Sequence, residues 1–231
     1  MRLLASIVLL LAIGSANAQD VPTSFGDRQL AQLLDDRPSM KGILTADDTI
    51  CRWVIRRFNT GHFGQRVHWD HGEPVSGREA ESQASWRIAP ALIRITESEK
   101  VSGRDKWCLL VFEFENLQNA PLFENLVKLA CAKQIPRHEF ALECVQLELN
   151  AEQRAKRYFN RYPIIGATIE NAPRYSALIA ATGDLTTYVD WLDSRGDDEY
   201  DPREYFGKSF DQCREYSDAN GPYGTMSRTK R

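Results

Sequence analysis

Asp105-Lys106-Trp107-Cys108-Leu109-Leu110-Val111-Phe112-Glu113-Phe114-Glu115-Asn116-Leu117-Gln118-Asn119 is the most apolar run of the chain outside its N-terminus, and two acids, Glu113 and Glu115, lie in its interior. Two backbone geometries compete for it. Extended, it turns Phe112 and Phe114 inward and Glu113 and Glu115 outward. Coiled, it gathers Trp107, Leu110, Val111, Phe114 and Leu117 on one face, with Asp105 as the cap. A run of about 15 residues is long for a strand and ordinary for a helix, so the expectation is a helix.

Downstream, Asn119-Ala120-Pro121 breaks the chain and restarts it, since proline suits a first helical turn. Leu122, Phe123, Leu126, Val127 and Ala130 then keep helical spacing, and Ile135-Pro136 turns the chain. Phe140, Cys144, Leu147, Ala151, Ala155, Tyr158 and Tyr162 continue a helical stripe with no breaker before Pro163. The two segments predict an antiparallel helix hairpin about residues 135–136. Cys131 and Cys144 lie at unequal distances from that turn, offset by about one helical turn of 5.4 Å, so a disulfide between them sits near the geometric limit. Further helices are expected at 172–181, at 184–192 with Asp184 as cap, and from Asp201-Pro202 with Phe206, Phe210 and Cys213 on one side.

Upstream, Ala91–Thr96 alternates as a strand, with Ile93 and Ile95 on one face, and Arg66–Trp69 reads as a second, short strand. Ser76–Ser85 is polar and rich in small residues. Glu97–Arg104 is a charged surface loop. Thr45 precedes Ala46-Asp47-Asp48 as a helix start, and Ile50, Cys51, Val54, Ile55 and Phe58 follow at helical spacing. Its other face carries Arg52, Arg56 and Arg57. Such charge runs are ordinarily solvated, with a phosphate or membrane site as the alternative. The fold class expected is therefore α+β and mostly helical: a small sheet, then the hairpin, then C-terminal helices.

Residues 1–18 read as a secretory signal: Arg2, an apolar core from Leu3 to Ile13, then Ala16-Asn17-Ala18 as a cleavage site. The apolar run is shorter than the roughly 20 residues that span a bilayer, so no transmembrane segment is expected after cleavage. The expected organisation is a signal at 1–18, a loose leader with one short helix (Leu30, Leu33, Leu34) at 19–44, a single domain at 45–217, and a disordered tail at 218–231. The address is secreted or periplasmic. Formal net charge is −3 over the full chain, which argues against a nucleic-acid partner, because such proteins carry a basic excess. Five cysteines leave at least one thiol unpaired, and no CxxC pair supports a zinc ribbon or a redox motif.

Three of the four histidines, His62, His68 and His71, fall in one stretch with Asp70 and Glu73. Imidazole and carboxylate suit zinc, but a metal needs three or four convergent ligands, and a turn scatters neighbours outward. Cys51 with Trp53-Val54 superficially resembles the nucleophile segment of secreted cysteine amidases. The only later histidine, His138, stands at a helix start rather than on a downstream strand, so the expectation for Cys51 is a structural one.

The order of elements over residues 66–162 resembles a zincin metallopeptidase core: a short edge strand, a charged loop, then a buried helix. In that family the helix carries His-Glu-x-x-His, two zinc ligands and a glutamate that activates water. The corresponding residues here are Phe112-Glu113-Phe114-Glu115-Asn116, of which only Glu113 matches. Phe112 and Asn116 stand in the ligand positions, and phenylalanine cannot bind zinc. The resemblance implies a catalytically dead relative that keeps the scaffold, without cofactor, and binds an unknown protein or envelope component or serves a structural role. The alternatives are an active metal-dependent hydrolase using Glu113 with zinc on the loop histidines, and a disulfide-stabilised partner-binding domain of unrelated origin. For Glu113 itself, the simplest expectation is a buried carboxylate paired with an arginine or a helix cap.

Overall fold

The computed structural model describes residues 24–62, 65–74, 80–85, 88–161, 184–194 and 201–220. Expectations for the signal at 1–18, a helix at 172–181 and the tail over 221–231 lie outside them, whereas residues 218–220, expected in the tail, belong to the last helix, Pro202–Asn220.

Residues 105–119 lie in a helix, α4 (Gly103–Asn116), continued by a 3-10 turn, Leu117–Asn119. Its cap is Ser102, not Asp105. The Ser102 hydroxyl accepts from the Asp105 N–H and donates to the Asp105 carboxylate, so the acid supports the cap from the first turn instead of forming it. Trp107, Cys108, Leu110, Val111, Phe114 and Leu117 are buried.

Before α4 come α1 (Phe25–Asp36), a 3-10 turn (Pro38–Met40), α2 (Lys41–Leu44) and α3 (Asp48–Asn59). Residues 25–44, expected as a loose leader, are core. Ser24 closes a full capping box on α1, and Leu33, Met40 and Leu44 are completely buried. The leucine spacing was legible; what it packs against was not. Gly26 permits the approach, because a Cβ there would lie 2.3 Å from the Ile55 carbonyl oxygen of α3. The cap of α3 is Asp47, which accepts from the Thr49 N–H, rather than Thr45.

Four strands follow: β1 (Gly61–His62), β2 (Gln65–Trp69), β3 (Ala80–Ser85) and β4 (Ile88–Ile95). The sheet order is β1-β2-β4-β3, with β2 and β4 parallel and the other pairs antiparallel. The polar stretch before residue 86 thus supplies a strand that the sequence concealed. Ala80 and Ser82 present small side chains toward α4, so the usual apolar alternation is missing. Its presence also makes β4 an interior strand, not the edge strand that the zincin resemblance assumed.

After α4, α5 (Ala120–Cys131) and α6 (Arg137–Arg161) form the antiparallel hairpin. The Asn119 amide at the start of α5 donates to the Leu147 carbonyl, ten residues into α6, as an antiparallel return requires. Then come α7 (Leu185–Asp193), which Asp184 caps through the Thr187 N–H, and α8 (Pro202–Asn220). Two hydrophobic clusters result. One joins α1, α3, the sheet and α4 around Trp53, Phe58, Trp107 and Phe114. The other joins α5, α6, α7 and α8 around Phe140, Cys144, Leu149, Phe206 and Phe210. The long α6 belongs to both: Phe140–Leu149 enter the second cluster, and Ala155 and Phe159 the first. Among the described residues, no helix is long and apolar enough to cross a membrane.

The disulfide differs from the one expected. Cys131 pairs with Cys213, their Cα atoms 5.7 Å apart and 82 residues apart in sequence. Cys144 is a free, buried thiol. On α6 it faces the cluster interior, whereas α8 brings Cys213 to the end of α5; the pairing depends on a helix placed by tertiary packing.

Candidate functional site

The candidate region is the polar side of α4 and the elements that meet it. Glu113 is buried and accepts the hydroxyl hydrogen of Ser82 on β3. A serine from the concealed strand is one partner of this buried carboxylate. Phe112 is half-buried. The Asn116 side-chain oxygen is buried without a hydrogen-bond partner.

Strand register decides whether the loop histidines can join Glu113. Ser82 and Trp69 both pair with Ile93, while His68 pairs with Leu92. Paired residues share a face and successive residues alternate. Ser82 and Glu113 therefore lie on one face of the sheet and His68 on the other. His68 packs edge-on against Phe25 at 4.8 Å, and burial, followed by the nearby Arg66 charge, lowers its pKa. His71 is exposed. His62 lies in β1, and its side chain is outside the described set. The neighbouring acids hold structure. Asp70 accepts from Arg94 at 2.7 and 3.0 Å and from the Gly72 N–H; Glu73 accepts from Thr96 Oγ1 at 3.0 Å and from the Glu97 N–H. Among the described residues, no three His, Cys, Asp or Glu side chains gather as metal ligands. The sheet register thus keeps Glu113 and His68 on opposite faces, so these two side chains do not meet at one ion.

Cys51 is half-buried near the start of α3. Burial first, then Asp48 and Asp27, raise its thiol pKa, the reverse of an activated nucleophile.

The feature that sequence reasoning missed is centred on Glu115, two residues after Glu113. Glu115 is buried, and its two carboxylate oxygens take different arginines: Oε1 pairs with Arg57 of α3, and Oε2 with Arg154 Nε of α6 at 3.3 Å. Arg154 Nη2 also donates to the Glu115 carbonyl and to Asn119 Oδ1, each at 2.8 Å. Gln118 donates to the same carboxylate, and Arg57 lies over the Trp53 ring, 5.0 Å from its centre. Burial lowers the Arg154 pKa against the opposing pull of Glu115. Arg57 is thus not part of a solvated face, although Arg52 and Arg56 are exposed. The only one-dimensional hint was an acid inside an apolar helix; its partners stand 58 and 39 residues away.

No family model matches the chain, and neither a curated protein nor a solved structure does.

Proposed function

We propose that this is an exported, noncatalytic protein that binds a protein or another component outside the cytoplasm, on a scaffold that keeps a helix where a zincin carries its zinc-binding motif. One observation carries the noncatalytic reading. Glu113, in the general-base position, is turned into the α4–β3 packing and engaged by Ser82, with the sheet between it and His68. A general base must reach the water it activates. Export draws support from the signal-like residues 1–18 and from the Cys131–Cys213 bond, since such bonds persist in oxidising compartments.

The test is elemental analysis of native protein, beside the His68→Ala and Glu113→Gln variants. The expected result is no stoichiometric zinc in any of them and no peptidase activity that Glu113→Gln abolishes. Stoichiometric zinc lost on His68→Ala would establish the hydrolase instead. Recovery of the protein from the cytosol alone, with all five thiols free, would remove export.

A further inference from the structure

We propose that the Arg57–Glu115–Arg154 cluster, with Arg157 beside it, binds a phosphate group. Glu115 meets two guanidinium groups, so the cluster carries surplus positive charge before Arg157 is counted. The carboxylate is 5% exposed, whereas the Arg57 and Arg154 side chains are 22% and 24% exposed, so the positive ends are the accessible part.

Donor accounting points the same way. A guanidinium has five N–H groups. Arg154 commits Nε and both hydrogens of Nη2 to Glu115 and Asn119, leaving Nη1. Arg57 commits Nη2 and leaves Nε and Nη1. Among the described residues these three nitrogens have no acceptor, yet none is a buried, unpartnered atom, so solvent reaches them. Arg157 follows Arg154 by three residues on α6, hence on the same side of the helix, and its charge weighs on Arg154, as does that of Arg57. Arg157 is itself exposed. A tetrahedral oxyanion matches this: planar forks bound to α3 and α6 and oriented by Glu115 and Trp53, with charge to spare. The site exists whether or not the chain is exported or related to zincins, and it gives the proposed binding role a ligand chemistry.

The experiment titrates the full chain at constant ionic strength with inorganic phosphate, with chloride as control. A second arm measures sedimentation with vesicles of phosphatidylcholine alone and of phosphatidylcholine with phosphatidic acid. Arg157→Gln tests the site without touching the Glu115 network, and its unchanged thermal midpoint reports an intact fold. The proposal expects saturable phosphate or phosphatidic-acid binding that Arg157→Gln weakens about tenfold or more. Binding of the free ion alone assigns a soluble phosphate ester, and binding of vesicles alone assigns a lipid headgroup. Phosphate behaving as chloride does, with no preference for phosphatidic acid, overturns the proposal. So does binding that Arg157→Gln leaves unchanged.

Discussion

Two buried glutamates show how far one residue type can diverge. Glu115 lies between two guanidinium groups, whereas Glu152 on α6 is buried with an oxygen that has no partner among the described residues. Burial, then repulsion from Glu148 one turn away, raises the Glu152 pKa well above the usual carboxyl range. An acid with a raised folded pKa binds its proton more tightly in the native state. Its contribution is therefore intact below the unfolded-state pKa and is lost as pH climbs toward the folded one. Urea denaturation over that interval should show wild type losing stability relative to Glu152→Gln, with a slope of up to about 1.4 kcal/mol per pH unit. Parallel pH profiles for the two proteins would contradict it.

At the level of elements, α4 is held by its first turn. Gly103 follows the Ser102 cap, and a Cβ there would lie 2.1 Å from the Ser39 carbonyl oxygen and 2.7 Å from its carbon. That obstacle is backbone of the Pro38–Met40 turn and cannot swing aside. Gly103→Ala should destabilise by about 1–3 kcal/mol. Gly42 in α2 has nothing within 4 Å of the same built atom, so Gly42→Ala should be neutral or stabilise by up to about 1 kcal/mol. The two urea midpoints should move apart at unchanged m. A Gly103→Ala midpoint equal to wild type would mean that α4 and the turn before α2 are not in contact.

For the whole molecule, the Cys131–Cys213 bond ties the end of α5 to α8 across the helical cluster. Closing an 82-residue loop restricts the unfolded chain, and the Cys131→Ser/Cys213→Ser double variant should lose about 2–5 kcal/mol. Alkylation in denaturant without reductant should label Cys51, Cys108 and Cys144 alone. In the folded state Cys108, whose pKa burial pushes up to about 12, should resist the reagent. Labelling of Cys131 and Cys213 in unreduced protein would break the framework.

Periodicity was enough for Phe140 to Ala155 and for Phe206 to Cys213, because each buries a stripe that one-dimensional spacing records, whereas Trp107 to Leu117 fitted both periods and its length decided for a helix. It was also enough for the two strands rich in isoleucine, valine and tryptophan. Strand β3 escaped, because its inward residues are small and match the close approach of α4 instead of advertising an apolar face. The partners of polar residues escaped for a different reason: an arginine has no period. Which acid Arg57 meets, which thiol Cys131 finds and which face of the sheet His68 occupies depend on contacts across tens of residues. Local chain chemistry determined where this protein coils and extends; only the folding of those pieces onto one another determined which charges, thiols and hydroxyls became neighbours, because side-chain pairing is a property of distance in space.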